Sequence, residues 1–251
     1  MNKIFKRADI YSTIYAKKNY KKEVNFILKK IKKYKVIVKS VLEFGSGIGG
    51  HAKYFCKKGI KVTGVDKSKS MIKASIKNKN LINIVGDLKV INLQKTYDVV
   101  VSLFHVFSYQ ISNDEVKKTF LNVNRHLKTG SYFIFDFWYL PAVLKLKPQN
   151  RLNIYKSKNA IIKKSVSFKN LINDNYVKVN YIFKIRKKNF LKEKILKECH
   201  FMRYFSLNEI KLFCEINGFK FCEAFQLLTD KKPSEDTWAV TVVLKKIRSI
   251  H

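Results

Sequence analysis

Cysteine is scarce in this chain, and no apolar run is long. The four cysteines, Cys56, Cys199, Cys214 and Cys222, show no Cys-x-x-Cys spacing, which argues against a disulfide framework and a structural zinc site. No hydrophobic run is long enough to cross a bilayer, and no signal-peptide core follows the first seven residues. We therefore expect a cytoplasmic protein that has no membrane span and needs no metal.

Acidic residues and arginine are also few. Lysine and arginine total 52 against 18 aspartates and glutamates, a formal charge of +34. Such a chain can bind nucleic acid, but bidentate phosphate and guanine recognition favours arginine over lysine. Because the lysines are spread along the chain, we expect a solvated basic surface that attracts anionic small substrates, and no nucleic-acid partner. Arginine occurs at Arg7, Arg125, Arg151, Arg186, Arg203 and Arg248.

The stretch from Val41 to Gly50 places a glycine-rich turn between a predicted strand and a predicted helix. A β-branched run precedes it, and residues 51–58 have helical character up to Gly59. Units of this kind bind nucleotide-like cofactors in open α/β sheets, because glycine lets the backbone approach the ligand. The acid Glu43, two residues before Gly45, makes the motif more specific.

Strands and helices alternate through the first half of the chain. This order predicts a parallel sheet with helices on both faces. Asp66 and Asp87 end the second and third strands, so both acids are expected at the edge of the sheet where the glycine turn lies. The pattern predicts strands at 36–44, 60–66, 81–87, 97–104 and 132–136, a helix at 114–127, and a short aromatic loop at 137–141.

A different pattern runs from about residue 153 to residue 201. Lysine-rich, β-branched segments alternate in hydrophobicity there, which predicts antiparallel strands. Polar breaks at Lys158–Asn159, Asn173–Asn175 and Lys188–Asn189 separate them. We expect this sheet either to cover the mouth of an active site or to form a dimer contact. A helix capped by Ser206 and strands at 219–226 and 238–244 complete the chain.

We predict a single domain over residues 1–251, in four parts. Residues 1–35 form an N-terminal helical flap, and residues 36–140 form the cofactor-binding core. Residues 142–203 form an inserted antiparallel sheet, and residues 204–251 form the C-terminal helix and closing strands. Tyr11, Tyr15 and Tyr20 of the flap either pack its helix onto the domain or cover the site, and both interpretations stay open.

Four motifs together resemble the class I S-adenosylmethionine-dependent methyltransferases. These motifs are Glu43–Gly49, Gly64–Ser68, Gly86–Leu88 and Tyr97–Val100. The resemblance covers nearly the whole chain and implies an α/β fold with a seven-stranded, mostly parallel Rossmann-like sheet and S-adenosylmethionine as methyl donor. Residues 11–23, 104–109, 135–141 and 200–203 more narrowly resemble the nucleotide-linked amino-sugar N-methyltransferases, with the glycine N-methyltransferases further off.

The resemblance implies roles for individual residues around the cofactor. Gly45, Ser46 and Gly47 would pass beneath its methionine and ribose. Asp66 would accept hydrogen bonds from the ribose hydroxyls, and Asp87 would accept one from the adenine amino group. Helix capping is the simpler alternative for both aspartates. The other residues of the implied cofactor site are Tyr20, Glu43, Lys67, Met71, Leu88, Ser102 and Phe104.

Two residues after the fourth strand are candidates for the reaction itself. His105 is the best candidate for a general base because it follows the strand at the catalytic edge, although a lone histidine is often structural. Some of the sugar enzymes carry a histidine where this chain has Tyr109. Which of the two residues faces the acceptor therefore stays open.

The acceptor site has further candidates, all of which also suit ordinary packing. Arg203 is a candidate for gripping a substrate phosphate. An aromatic wall is expected from Tyr11, Tyr15, Trp138 and Tyr139.

The expected function is methyl transfer to a small-molecule acceptor at nitrogen or oxygen. A nucleotide-linked sugar or a precursor of a cell-surface polysaccharide fits best, and a homodimer through the inserted sheet is expected. The alternatives are an RNA-modifying enzyme, an enzyme acting on another phosphorylated metabolite, and a cofactor-binding protein without catalysis. Against nucleic acid, the chain has no Asp-Pro-Pro-Tyr motif after the fourth strand and no proline that precedes a cysteine.

Overall fold

The computed structural model describes residues 7–157, 160–187 and 193–250. Within them the chain forms eleven strands and seven α-helices. The strands are β1 (Ser40–Phe44), β2 (Lys61–Asp66), β3 (Leu81–Val85), β4 (Tyr97–Ser102), β5 (Leu127–Tyr139), β6 (Arg151–Lys156), β7 (Ala160–Leu171), β8 (Tyr176–Lys187), β9 (Lys194–Phe205), β10 (Phe219–Gln226) and β11 (Ala239–Lys246). The helices are α1 (Ala8–Ile14), α2 (Tyr20–Lys32), α3 (Ala52–Cys56), α4 (Lys69–Ala74), α5 (Asn113–Arg125), α6 (Leu140–Leu146) and α7 (Leu207–Ile216).

Seven strands form the core sheet, in the order β3-β2-β1-β4-β5-β11-β10. Strands β1 to β5 pair in parallel, and β11 runs antiparallel between β5 and β10. This arrangement confirms the predicted mostly parallel, seven-stranded α/β sheet. The carboxyl ends of β1, β2 and β4 meet at one edge, as they must when neighbouring strands share a direction.

Helices cover both faces of the core sheet, as predicted. On one face, Val116 and Phe120 of α5 and Phe213 of α7 pack in a buried cluster with Phe133 of β5. On the other face, α2 and α3 bury a second apolar cluster that includes Phe55. The α5 helix begins at a capping box, in which the Ser112 and Glu115 side chains each bond a free backbone N–H of the other.

The prediction of an aromatic loop at 137–141 is wrong, because β5 continues to Tyr139. Its last residues find backbone partners on both sides: Trp138 pairs with Ala239 of β11 and with Tyr204 of β9. The α6 helix then begins at once, with Pro141 in its first turn, where a missing N–H costs no hydrogen bond.

The inserted sheet consists of β6, β7, β8 and β9 in antiparallel order. It joins the core where β9 pairs in parallel with the end of β5. The predicted break at 173–175 is confirmed by a short 3-10 turn, Ile172–Asp174, followed by Asn175 at φ 54°. The predicted breaks at Lys158–Asn159 and Lys188–Asn189 lie outside the described residues.

Two strands end earlier than predicted, and this matters for the site. Strand β3 ends at Val85, and β4 ends at Ser102. After β4, Phe104 and His105 take left-handed backbone conformations, with φ values of 67° and 61°. Among the described residues, no helix is both long and apolar enough to cross a membrane.

Candidate functional site

A cavity of about 400 Å³ opens at the carboxyl ends of β1, β2 and β4. The glycine-rich turn and the end of β2 line one side of it, and the segment after β4 lines another. Tyrosines from the flap and from β8 also line the cavity. The cavity therefore joins three regions that are far apart in the sequence.

The glycine-rich turn is held against the end of β2. Gly45 and Ser46 donate backbone hydrogen bonds to the Val65 carbonyl at 2.8 and 3.1 Å. Gly45 has φ 72°, and a Cβ there would lie 2.4 Å from a methyl group of Val106. Gly47 has φ 55°, and a Cβ there would meet nothing within 4 Å. The turn therefore presents open space beside Gly47, and both positions favour glycine.

Asp66 lines this space, as predicted. Its two carboxylate oxygens accept the backbone N–H groups of Gly47 and Ser68, each at 2.8 Å. Burial raises the pKa of Asp66, against the lowering effect of these two bonds. Each carboxylate oxygen has more than one lone pair, so the anchored carboxylate can accept further hydrogen bonds from a ligand.

Asp87 lies beside the cavity and does not line it. Its carboxylate forms an ion pair with Lys67 at 2.9 Å and accepts the Lys89 backbone N–H at 2.9 Å. The neighbouring residues Met71 and Leu88 do line the cavity, as does Lys67. Asp87 therefore lies next to the apolar wall, and its direct contact with the cofactor stays a prediction.

Glu43 also does not line the cavity, because its carboxylate faces His51. His51 Nδ1 lies 3.1 Å from Glu43 Oε1, and His51 Nε2 lies 2.6 Å from Glu23 Oε2. Burial alone would lower the pKa of His51, but the hydrogen bonds and charges of both carboxylates raise it to about 9. His51 is thus protonated at pH 7 and donates to both acids, which ties α2 of the flap to the glycine turn. Lys18 adds an ion pair to Glu23.

His51, which follows the glycine-rich turn directly, was not among the predicted site residues. Its side chain is 6% exposed and lines the cavity. The ring of Tyr20, another predicted cofactor residue that lines the cavity, contacts His51 edge-on with centroids 4.9 Å apart. The role of His51 depends on the buried acid Glu23 of the flap. The sequence pattern could not indicate this role, because the burial of Glu23 is a property of the tertiary structure.

Phe104 and His105 line the cavity from a turn that Asp136 stabilises. The Asp136 carboxylate accepts the backbone N–H groups of Phe104 at 3.2 Å and His105 at 2.8 Å. These bonds hold both residues in the left-handed region, which costs energy for residues other than glycine. The backbone of this turn therefore directs both side chains toward the cavity wall.

The His105 ring is neutral at pH 7. Burial lowers its pKa below the ordinary 6.5, and the nearby Asp136 carboxylate only partly opposes this effect. The Nδ1 atom lies 3.7 Å from Asp136 Oδ2, too far for a hydrogen bond. Within the described part of the chain, buried Nδ1 has no hydrogen-bond partner.

Aromatic side chains form another part of the cavity lining. Tyr11 and Tyr15 of α1 have ring centroids 4.6 Å apart, and Tyr15 meets Phe104 edge-on at 5.1 Å. Trp138 lies 6.4 Å from the His105 ring, and Tyr109 also lines the cavity. The inserted sheet adds residues that the sequence analysis missed, namely Tyr181 and Met202.

Three more predicted site residues do not line the cavity. Ser102 and Tyr139 pack elsewhere, Ser102 as a buried residue of β4 and Tyr139 against the apolar core. Arg203 forms an ion pair with Glu209 and donates to the Ile111 carbonyl at 3.2 Å. Its side chain is 7% exposed, which indicates a structural role at the end of β9, and the grip on a substrate phosphate stays a prediction.

No group of three or more histidine, cysteine or acidic side chains within residues 7–157, 160–187 and 193–250 is placed to hold a metal ion. The residues that line the cavity do suit S-adenosylmethionine. Asp66 offers anchored acceptor oxygens, Gly47 leaves the adjacent space open, and Met71 and Leu88 provide an apolar surface.

Comparisons with known proteins agree with this geometry. Residues 41–130 match a family model described as a methyltransferase domain. The chain is 25% identical over 137 residues to dTDP-4-amino-2,3,4,6-tetradeoxy-D-glucose N,N-dimethyltransferase of Saccharopolyspora spinosa. That match covers 53% of this chain and 55% of the relative, so the chain spans about half the length of that curated relative.

Two solved structures share the fold over nearly the whole chain. An S-adenosylmethionine-dependent methyltransferase from Clostridium acetobutylicum superposes with a TM-score of 0.80 at 23% identity, covering 96% of this chain and 98% of the other. The sugar N-methyltransferase KedS8 from Streptoalloteichus gives a TM-score of 0.81 at 14% identity, covering 96% and 92%. The match to a methyltransferase domain, the shared fold and the lining of the cavity make this chain similar to the class I S-adenosylmethionine-dependent methyltransferases, among them sugar N-methyltransferases.

Proposed function

We propose that this protein transfers the methyl group of S-adenosylmethionine to an amino group of a nucleotide-linked sugar. The main support for the proposal is that the carboxylate of Asp66 and the neutral ring of His105 line the same cavity. Relatives named as sugar N-methyltransferases support the acceptor class. Methylation of another phosphorylated small metabolite is the alternative within the same chemistry.

The proposed cofactor site uses the glycine turn and the ends of β2 and β3. Asp66 holds the ribose hydroxyls through its free lone pairs, while Gly45 and Gly47 let the backbone approach the ligand. Met71 and Leu88 form the apolar surface against which the adenine ring packs. When bound, S-adenosylmethionine supplies a methyl group that its sulfonium has already activated.

The proposed acceptor site uses the aromatic wall and His105. Positioning the acceptor nitrogen within this wall supplies much of the rate acceleration, because bound reactants no longer have to find each other. An amine must also be unprotonated to react, and it releases a proton once it is methylated. Neutral His105 accepts the released proton on the ring nitrogen that does not already carry one. Tyr11 and Tyr15 exclude water from this side.

Positive charge near the acceptor site supports a phosphorylated acceptor. Lys164 of β7 lies over the Tyr181 ring at 4.7 Å and near the Tyr15 ring at 5.7 Å. Burial and the charge of Arg151 lower the pKa of Lys164 to about 8. A phosphate of the acceptor would stabilise the charged form of this lysine, and the net charge of the chain favours anionic ligands in general.

We further propose a cytoplasmic homodimer that forms through the inserted sheet. Strand β6 is the last strand of that sheet, and Leu152 and Ile154 on it are 64% and 55% exposed. Among the described residues no strand pairs with the outer edge of β6, and an edge strand with exposed apolar side chains is suited to pairing with a second copy. The four cysteines are all free, which suits a reducing compartment.

Incubation with methyl-labelled S-adenosylmethionine tests the proposed function. The panel contains dTDP-linked amino sugars, the same sugars without nucleotide, sugars with hydroxyl in place of amine, and RNA. We expect label only in the nucleotide-linked amino sugars. Label in RNA alone would refute the proposal, and label in the hydroxyl sugars would change the acceptor atom to oxygen. Binding of the cofactor without any labelled product would indicate a binding protein.

A further inference from the structure

The hydroxyl of Tyr109 is connected to two buried polar side chains of the inserted sheet. Tyr109 lies in the 3-10 turn Phe107–Tyr109 after β4 and lines the cavity. Its hydroxyl oxygen is 2.7 Å from His200 Nδ1, and His200 Nε2 is 2.9 Å from Glu198 Oε2. His200 and Glu198 both lie on β9, with side chains 3% and 1% exposed. A hydrogen-bonded series therefore runs from the cavity wall into the interior of the protein.

The chemistry of the series sets the direction of each hydrogen bond. A carboxylate only accepts, so the hydrogen bond between His200 and Glu198 is donated by Nε2. With Nε2 as the protonated nitrogen of the ring, Nδ1 has a lone pair, and the Tyr109 hydroxyl donates to it. Burial raises the pKa of Tyr109 well above its usual 10, so the hydroxyl keeps its proton.

The direction of these bonds decides what Tyr109 offers a ligand. Its single proton points to His200, so its oxygen can only accept a hydrogen bond from the cavity. A neutral amine has both N–H groups and a lone pair. A cavity side chain that donates a hydrogen bond to the amine nitrogen would occupy the lone pair of the amine. A side chain that accepts a hydrogen bond from the amine N–H leaves this lone pair free for the reaction.

We propose that Glu198 and His200 position Tyr109 as the hydrogen-bond acceptor for the N–H of the amine that is methylated. Tyr109 is then a specificity-determining residue for neutral primary and secondary amines, and His200 and Glu198 are positioning residues that act through it. The inference rests on the proposed function, because it requires an amine as the acceptor. It also gives the inserted sheet a part in substrate selection, since β9 supplies both positioning residues.

The tautomer of His200 is measurable without any ligand. Nitrogen NMR of the full chain, labelled with ¹⁵N-histidine, distinguishes a ring nitrogen that carries a proton from one that does not. His126 is an internal reference for the opposite tautomer, because its Nδ1 donates to the Asn122 carbonyl at 2.7 Å and its Nε2 accepts from the Leu93 N–H at 3.0 Å. The His200 signals are assigned by their absence from the His200→Asn spectrum.

We expect His200 to carry its proton on Nε2, and we expect Tyr109→Phe to shift the Nδ1 signal toward that of a nitrogen without a hydrogen-bond partner. A proton on Nδ1 would make Tyr109 a donor to the cavity and would overturn the proposal. An Nδ1 signal that is unchanged in Tyr109→Phe would also overturn it. Neither result depends on finding the acceptor.

Kinetics with dTDP-4-amino-2,3,4,6-tetradeoxy-D-glucose and its N-methyl derivative test the effect on the reaction. We expect Tyr109→Phe and His200→Leu to lower kcat/KM about tenfold, the size of one net hydrogen bond. His200→Asn should restore most of the loss, because an asparagine oxygen near the Nδ1 position accepts from Tyr109 but carries no titratable proton. The control is Tyr97→Phe, which removes a buried hydroxyl bonded to Thr63 Oγ1 at 3.0 Å, outside the cavity.

The outcomes separate this inference from the proposed function. Wild-type protein that methylates none of the amines refutes the proposed function. Active wild type together with an equally active Tyr109→Phe variant refutes only the inference. A His200→Asn variant that is as impaired as His200→Leu, with a shifted pH profile, would indicate proton transfer through His200 in place of positioning and would also overturn it.

Discussion

Replacement of His51 by glutamine should remove a pH-dependent part of the stability of this protein. Burial disfavours the charged ring, yet Glu23 and Glu43 raise the pKa of His51 from 6.5 to about 9. At ~1.4 kcal/mol per pKa unit, this difference corresponds to about 3 kcal/mol in the free energy of unfolding. The ring is buried, so solvent does not screen the interaction appreciably.

The sign follows from where the proton is held. Between pH 6.5 and about 9, folded His51 keeps a proton that the unfolded chain releases. The folded state therefore binds more protons, and the free energy of unfolding falls as the pH rises through this range. The contribution is fully present below pH 6.5 and is lost above about pH 9.

Urea unfolding followed by circular dichroism, from about pH 6 to about pH 9.5, measures this contribution. The stability difference between wild type and His51→Gln should shrink by about 3 kcal/mol over that range. Lys164, with its pKa lowered to about 8, changes stability in the opposite direction, but equally in both proteins. Subtraction therefore isolates His51.

The matched control is His126→Gln. Burial lowers the pKa of His126, so its pH-dependent contribution is lost only as the pH falls below 6.5, and the slopes are compared above that pH. This variant should keep the wild-type slope between pH 6.5 and pH 9. Equal slopes for wild type and His51→Gln would refute the reasoning.

Three further predictions concern the cofactor site and the assembly. Asp66→Ala should weaken S-adenosylmethionine binding at least 100-fold in calorimetry, since each lost charge-assisted hydrogen bond is worth about 1.5–3 kcal/mol; unchanged affinity would contradict the cofactor assignment. Gly45→Ala should cost about 2–4 kcal/mol in chemical unfolding, from left-handed strain plus the 2.4 Å contact with Val106, whereas Gly59→Ala, at φ 79° with nothing within 4 Å, should cost only about 1–2 kcal/mol. Equal costs for the two substitutions would contradict the predicted clash between residue 45 and Val106. Ile154→Lys on the exposed strand β6 should convert a dimer into a monomer in light scattering, and a wild-type protein that is already monomeric would rule out the proposed interface.

Local order along the chain was sufficient to predict the glycine turn and the position of Asp66 beside it. A strand, a glycine turn and a helix are neighbours in sequence, so their pattern predicts their arrangement. Asp66 ends the strand next to that turn, and parallel pairing of β1 with β2 brings it to Gly47. The positions of the glycine turn and of Asp66 are therefore determined by short-range pattern and by a single strand pairing.

The limits of β5 were decided by partners distant in the sequence. Nothing in residues 137–139 distinguishes an aromatic loop from a strand. The backbone groups of Trp138 are paired because Ala239 and Tyr204 lie beside it in the folded chain. Hydrogen bonding with distant strands therefore overrode the local signal.

The sequence by itself determined the fold class, the glycine turn and the acid that faces it, because each depends on residues close together in the chain. Only the tertiary structure showed that Arg203 is buried against Glu209, that His51 is held by two acids, and that His200 reaches Tyr109. The charge state and orientation of these side chains depend on burial and on partners from other elements. The local sequence pattern therefore predicts neither the charge state nor the orientation of these side chains.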